Sequence, residues 1–371
     1  MRLRKGEYRE MQKDYRTDTW EEFNKVIENK QLYLFGGGVG AKGILDDMRK
    51  YGGPWKIAGV VDNDKRKWGT SIGKDIIINN PNILLREGRT PDQLAVLICG
   101  MHTGEIGKQL EDMGIRNYYS EFWMSAWMKD FYKADVDFGK IEQVKNILFD
   151  QRSRDVLDAV VEKRKLGFMD YTDIKEWTET EYFLSEFWKP KEDGKEVFVD
   201  GGGYIGDTIE EFMNWTKGDY KRIYSFEPQK DKITVLKTKL WQWGDKVKLY
   251  EKGLWSCNTT LSFKNGDDIY SGKIVKEHQS ECKIETVALD ELIEEHVTFL
   301  KLDIEGAETE AIKGARHIIQ RDKPRLAICI YHKPNDLWEI PLMIHEMVPE
   351  YKLFIRHMGI RCYSTILYAT L

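Results

Sequence analysis

Asp200, Glu227, Asp303 and His332 are the side chains whose types and positions best suit chemistry. Each follows an apolar run, and each is an acid or an imidazole. Asp200 closes Val197-Phe198-Val199 and leads into Gly201-Gly202-Gly203-Tyr204-Ile205-Gly206-Asp207-Thr208. Glu227, followed by Pro228, closes Ile223 to Phe226. Asp303 closes Phe299-Leu300-Lys301-Leu302, and His332 follows Arg325 to Tyr331. A glycine turn at a helix start suits a nucleotide, because helix amides point outward there and only Gly lets the ligand touch the backbone. An acid roughly 20 residues further on is placed to accept ribose hydroxyls. An imidazole titrates near neutral pH, so His332 fits a base that takes a proton from a hydroxyl. Asp303 fits an orienting acid. Lys301, two positions earlier on the same strand face, fits a ligand contact or a pair with an acid.

The elements that must carry these groups are strands and helices in alternation. Val197 to Val199, Ile223 to Phe226, Lys246 to Tyr250, Phe299 to Leu302 and Arg325 to Tyr331 read as buried strands. Ile209, Phe212 and Met213 give the helix opened by Thr208 an apolar face, and a second helix is expected over about Asp231 to Trp241. Ligands of open α/β sheets sit beyond the carboxyl ends of the strands, so the four groups are expected to face one crevice. The spacing Asp200-x-Gly202-x-x-x-Gly206 departs from the dinucleotide pattern, which would place Gly where Ile205 stands. Thr260 to Phe263 and Lys283 to Val287 alternate like the strands of a hairpin, and Asp290 reads as a helix N-cap. Trp338, Ile340, Pro341 and Ile344 start a further helix, and Tyr351 to His357 with Thr365 to Ala369 form an antiparallel closing pair. His357 reads as structural or rim, or else as an acceptor contact.

Five segments in this order resemble the FkbM family of S-adenosylmethionine-dependent methyltransferases: Val199-Asp-Gly-Gly-Gly-Tyr-Ile-Gly-Asp-Thr208, Phe226-Glu-Pro228, Val287-Ala-Leu-Asp-Glu-Leu292, Leu300-Lys-Leu-Asp-Ile-Glu-Gly-Ala-Glu308 and Tyr331-His332. The resemblance runs from about Lys195 to Leu371. It implies a class I methyltransferase-type doubly wound sheet, S-adenosylmethionine as cofactor, and a hydroxyl on a glycan, nucleotide-sugar or natural product as acceptor. Cofactor binding then falls to Asp200, Gly201, Gly202, Gly203, Gly206, Thr208, Glu227, Pro228 and Asp303, with Lys252, Gly253 and Leu254 at the adenine. Catalysis falls to His332, Asp303 and Lys301. The chain has Gly203 where the family usually carries Ala, which is expected to loosen the turn. Methyl transfer asks chiefly for alignment of nucleophile, methyl and sulfur, for exclusion of water, and for a base when the acceptor is a hydroxyl.

The first half repeats the strand, glycine turn, helix plan. Gln31 to Phe35 precedes Gly36, and Gly38, Gly40 and Gly43 match Gly-x-Gly-x-x-Gly. Ile57 to Val61 ends at Asp62, and Leu94 to Cys99 ends at Gly100. Gly36, Gly38, Gly40 and Asp62 are therefore candidates for a second nucleotide site. Equally, the loop packs a helix on a sheet and the domain is a scaffold or a dimer element. Val61-Asp-Asn-Asp64, Lys67 and Gly69 are similar to a motif of sugar-nucleotide-associated domains in glycan-modifying proteins. A polar helix with Trp20, Phe23, Val26 and Ile27 on one face precedes all this. The expected division is an N-terminal Rossmann-like domain over 1–121, a helical connector over 122–190 and the methyltransferase domain over 191–371: an α/β protein with two Rossmann-like domains. In the connector, Tyr171, Trp177, Tyr182, Phe183, Phe187 and Trp188 read as interdomain packing, or else as a lid or acceptor wall.

Composition narrows the classes. At 371 residues there is length for two cores. A net charge of -5, spread rather than blocked, argues against a nucleic-acid partner. The start, Met1-Arg-Leu-Arg-Lys-Gly, carries no apolar stretch of the signal-peptide kind, and the apolar runs fall short of the roughly 18 residues of a membrane span. Cys99, Cys257, Cys282, Cys329 and Cys362 show no paired spacing, as expected of reduced thiols in the cytoplasm. No metal is expected: His and Cys lack ligand spacing, and Asp303, Glu305 and Glu308 fit acids favoured by a helix dipole, although they could offer oxygens. The competing expectation is an NAD- or nucleotide-sugar-dependent enzyme or binding protein run by the first domain.

Overall fold

The structure, a computed structural model, describes residues 25, 27–51, 56–73, 75–86, 88–99, 103–120, 136–166, 171, 173–176, 178, 180–190, 193–265, 272–274, 282–359 and 362–371. Trp20, Phe23, Val26, Gly100 and Trp177 lie outside the described residues. The chain divides into two compact units, one within 1–135 and 162–172, the other within 136–161 and 173–371. The segment expected as a connector is thus shared out, and most of its described residues belong to the second unit.

The first unit contains β1 (Gln31–Phe35), α1 (Val39–Tyr51), β2 (Ile57–Val61), β3 (Ser71–Ile72), β4 (Ile76–Asn79), β5 (Leu94–Ile98), α2 (Thr103–Asp112) and β6 (Tyr118–Ser120). The strands form one sheet in the order β3-β4-β2-β1-β5-β6. All neighbours are parallel except β3 and β4. Leu32 and Leu34 pack on one face with Ile44 and Leu45 of α1. Tyr33 and Phe35 pack on the other with Ile106 and Leu110 of α2. Successive strand side chains point to opposite faces, so an unbroken apolar run is what a sheet covered on both sides requires.

The second unit takes in α3 (Phe138–Ile147) and most of α4 (Gln151–Leu166), then β7 (Val197–Gly201), α5 (Asp207–Trp215), β8 (Arg222–Phe226), α6 (Lys230–Trp243) and β9 (Val247–Tyr250). There follow β10 (Gly253–Leu254), β11 (Thr259–Asn265), β12 (Gly272–Ile274), β13 (Cys282–Val287), β14 (Phe299–Leu302), α7 (Glu308–Gly314), α8 (Arg316–Asp322), β15 (Arg325–Cys329), α9 (Asp336–Met347), β16 (Lys352–His357) and β17 (Thr365–Thr370). Seven strands form the main sheet in the order β16-β17-β15-β14-β7-β8-β9. It is parallel except that β17 runs against both β15 and β16. The expected hairpin is part of a separate four-stranded sheet, β10-β13-β11-β12, in which β13 also pairs with β10.

Aromatic packing holds the main sheet to its cover. Phe183 lies 5.7 Å from Phe198, 5.7 Å from Phe212 and 5.1 Å from Phe299, ring centre to ring centre. Trp188 meets Phe299 edge-on at 5.1 Å. Of the run expected to serve interdomain packing or an acceptor wall, Tyr182, Phe183, Phe187 and Trp188 are therefore core of the second unit, whereas Tyr171 falls in the first. Arg356 of β16, wholly buried, fastens the same segment, reaching Asp150 at 2.7 Å and Glu186 at 2.6 Å. Among the described residues, no helix is long and apolar enough to cross a membrane.

Candidate functional site

β7 lies between β8 and β14, and the strand ends are level: Asp200 pairs in register with Lys301 on one side and Ser225 on the other. The chain first builds outward from β7 through β8 to β9, then crosses back to β14 and β15. That reversal places a crevice at the carboxyl ends of β7 and β14. Into it run the glycine turn and the segment after Asp303.

The turn is held by backbone. The amides of Gly202 and Gly203 both donate to the Phe226 carbonyl at 3.0 Å. Gly202 has φ +87°, and a Cβ there would lie 2.0 Å from the Asp303 carbonyl oxygen, so no other residue fits. Gly203 is also closely packed, against the expectation of a loosened turn. A Cβ on it would lie 2.3 Å from Ser225 Oγ, whose hydroxyl donates to Asp200 at 3.1 Å. The serine hydroxyl occupies the volume that an alanine methyl would need. Gly206 ends the turn, and Thr208 is buried in the first turn of α5.

Asp200 and Lys301 are a buried pair beneath the turn. Lys301 Nζ lies 3.1 Å from Asp200 Oδ1 and donates to the Gly202 carbonyl at 2.8 Å. Burial disfavours its charge, but Asp200 and Asp303 outweigh this and raise its pKa, keeping it an ammonium. With its side chain 3% exposed, Lys301 is engaged by Asp200 and the glycine turn, the acid pairing that its place on the strand allowed.

Glu227 closes the turn from the β8 side. Its two oxygens accept from the amides of Tyr204 at 3.0 Å and Gln229 at 2.8 Å. Tyr204 sits at φ +43°, a strained conformation that Glu227 stabilises. Burial pushes the Glu227 carboxyl up to about 7 despite these amides. Both oxygens retain lone pairs for further donors. Pro228 follows half-buried. Of the expected adenine contacts, Gly253 and Leu254 form β10, Leu254 is buried against Gly201, and Lys252 pairs with Glu285 at 3.0 Å.

Asp303 and His332 share a second cluster. Asp303 accepts from Tyr182 Oη at 2.9 Å and from Tyr331 Oη at 3.0 Å. His332 Nε2 lies 3.5 Å from Asp303 and 3.7 Å from Glu305, and its Nδ1 lies 2.8 Å from Glu308 Oε1. Burial alone would lower the imidazole pKa, but the carboxylates of Glu308, Asp303 and Glu305 override it and push it up to about 10. His332 is then an imidazolium at neutral pH, not the ready proton acceptor that residue type suggests. Burial raises the Asp303 carboxyl, but Lys301, His332 and the two tyrosine hydroxyls reverse this and hold it low. Glu181 is a further carboxyl near Asp303 and Glu211; loss of hydration and these like charges push it up to about 7. Tyr182, Tyr331, Glu181 and Ser225 were not singled out as site residues by spacing, since they act across the fold. The aromatic run around Tyr182 hinted at one of them, and the Tyr331-His332 strand end at another.

Asp290 is not the cap of its own turn. Its carboxylate accepts from the amides of His317 and Ile318 at 2.8 and 2.9 Å and so caps α8, to which sequence gave no pointer. In the first unit, Gly36 takes φ +108° and donates to the Val61 carbonyl, while Gly38 and Gly40 flank the start of α1. Asp62 is engaged by its own loop: it accepts from Gly37 N at 2.7 Å, from Asp64 N at 2.8 Å and from Lys67 Nζ at 2.8 Å. The Asp62 to Gly69 motif thus builds a turn, with Asp64 receiving the Arg66 amide.

A family model for the methyltransferase FkbM domain matches residues 200–362. Residues 200–362 form a methyltransferase FkbM domain. The chain is therefore a methyltransferase, and the crevice at β7 and β14 belongs to its FkbM domain. The structure is similar to the crystal structure of the methyltransferase FkbM from Methylobacillus flagellatus, with a TM-score of 0.69 at 21% identity over 95% of this chain and 94% of that one. At that identity the likeness speaks for the fold, and its coverage extends to both units. An rRNA methylase from Streptococcus thermophilus (TM-score 0.31, 16% identity, 50% of this chain and 90% of that one) is a far weaker likeness. So is Aeropyrum pernix fibrillarin with natively bound S-adenosyl-L-methionine (TM-score 0.30, 12% identity, 48% and 67%). No curated protein matches the chain.

Proposed function

We propose that the FkbM domain uses S-adenosylmethionine to methylate a hydroxyl of a glycan, nucleotide-sugar or natural-product acceptor. The supporting observation is the glycine turn at the strand switch, pressed against Asp303 by Gly202 and closed by the buried Glu227 carboxyl. These residues fit the cofactor: a turn without side chains receives its main body, and Glu227 keeps lone pairs for two ribose hydroxyls. When bound, the sulfonium supplies an electrophilic methyl and its own leaving group. The chain's part is to align and to exclude water. Asp303, held by Tyr182 and Tyr331, would orient the acceptor, and the neighbouring carboxylates would receive its proton.

Calorimetric titration of the full chain with S-adenosylhomocysteine, NAD and nucleotide-sugars tests this reading. S-adenosylhomocysteine should bind, and Glu227→Ala should weaken it by about 1.5–3 kcal/mol, roughly ten- to hundredfold. Binding of NAD in place of S-adenosylhomocysteine, or unchanged affinity in a folded Glu227→Ala protein, would overturn it.

A further inference from the structure

We propose that Asp303, Glu308 and His332 form a site for one divalent cation of the Mn2+ kind, to which the acceptor oxygen adds as a further ligand; this rests on the reading of the FkbM domain as a hydroxyl methyltransferase. The sequence between the two acids makes the site. Glu305 at φ +56° and Gly306 at φ +93° reverse the chain, so that the carboxylate at the end of β14 and the one that opens α7 come to the same place. The Ile304 amide donates to Glu308 Oε1 at 2.9 Å and locks the reversal. His332 enters from the end of β15. One ligand atom from each of Asp303, Glu308 and His332 lies within 4.8 Å of the other two. Ligand atoms on opposite sides of an ion are about 4.2–4.4 Å apart at bond lengths near 2.1–2.2 Å, so closure needs only small side-chain shifts.

A second observation is independent of this spacing. Glu308 is wholly buried, and among the described residues its Oε2 has no hydrogen-bond partner. His332 Nδ1 is ion-paired with Glu308 Oε1 at 2.8 Å and, among the described residues, likewise makes no hydrogen bond. Buried polar atoms are almost always satisfied, and a cation, displacing the proton that the carboxylates otherwise hold on His332, would satisfy the carboxylate and the imidazole together. Two carboxylate oxygens suit a hard cation, and the imidazole nitrogen favours Mn2+ over Mg2+ and Ca2+ among these. The Asp303 side chain is 28% exposed against 5% for His332 and 0% for Glu308, so the site opens on the Asp303 side. That is where an acceptor would enter. Tyr182 and Tyr331 fix the Asp303 carboxylate, as outer partners of a metal ligand do. In the transfer, the acceptor oxygen forms the C–O bond with a lone pair, the C–S pair stays on sulfur, and the hydroxyl proton leaves to Glu305.

The test is Mn2+ binding to the metal-stripped full chain, read from loss of the free-ion electron paramagnetic resonance signal. One Mn2+ should bind per chain. Glu308→Gln and His332→Gln should each weaken it by about tenfold or more. S-adenosylhomocysteine affinity, measured in chelator, should survive in both variants. A wild-type chain that leaves the signal intact, or variants that bind as tightly as wild type, would overturn the site; if Glu308→Gln does not fold, His332→Gln decides. Loss of S-adenosylhomocysteine binding in the wild type would instead count against the methyltransferase cofactor reading.

Discussion

Two buried carboxyls set the behaviour of the site at the level of single residues. Glu227 is pushed up to about 7 by burial. On the proposed cofactor reading, ribose hydroxyls would donate to its ionised form, so ligand binding would favour loss of the proton. Affinity for S-adenosylhomocysteine should be full above about pH 7 and fall by up to roughly tenfold per unit below it, a dependence that Glu227→Ala abolishes. Titrations on either side of neutrality check this, and a flat wild-type profile removes Glu227 from the ribose. Asp200 is different, because its partner Lys301 is as buried as it is. Lys301→Met leaves a carboxylate with no counter-charge and should cost about 3–5 kcal/mol of stability, seen as an earlier denaturant midpoint. A loss below about 1 kcal/mol would mean that the pair is not buried as described.

Among elements, the glycine turn can be dissected by one pair of substitutions. Gly203→Ala alone drives a methyl into Ser225 Oγ and should cost about 1–3 kcal/mol. In a Ser225→Ala background the next neighbours, Leu236 and Asp200, stand at 3.6 and 3.7 Å, so the same change should cost far less. A double-mutant cycle gives the coupling directly, and additivity would show that the serine does not fill that space. The loop after β2 answers a separate question. Asp62→Ala removes three partners from one turn, so thermal unfolding of the first unit should begin earlier, with no change in S-adenosylhomocysteine affinity. A drop in that affinity would make the loop part of the cofactor site.

For the whole molecule, the two units should be separable by ligand. A saturating cofactor product stabilises what binds it by about 2.7 kcal/mol at a hundredfold excess over Kd. Scanning calorimetry of the full chain with S-adenosylhomocysteine should therefore move the transition of the second unit and leave that of the first in place. Movement of the first alone would locate the ligand there. Phe183, Phe187 and Trp188 show how sequence order can mislead at this scale. They precede the boundary expected between 190 and 191, yet their rings belong to the sheet that starts after it. A loop marks where the chain turns, and burial decides what it turns towards.

Period and punctuation made the strands, the glycine turns and the acids at strand ends legible, because each is dictated within a few residues: alternation by the pleat, glycine by positive φ and close approach, the closing antiparallel pair by its own apolar runs. The α/β sheet itself followed from alternation of strand and helix. What a side chain does at its place did not. Lys301 and Asp200 stand 101 positions apart and meet only because β7 and β14 are neighbours. His332 is an acid–base group by type, but three carboxylates gathered from the β14 end and α7 hold its proton. Asp62 and Asp290 are spoken for by amides that no local spacing announces. Charge state and hydrogen-bond partner depend on which distant groups are brought within a few ångströms and cut off from water, and only the tertiary structure decides that.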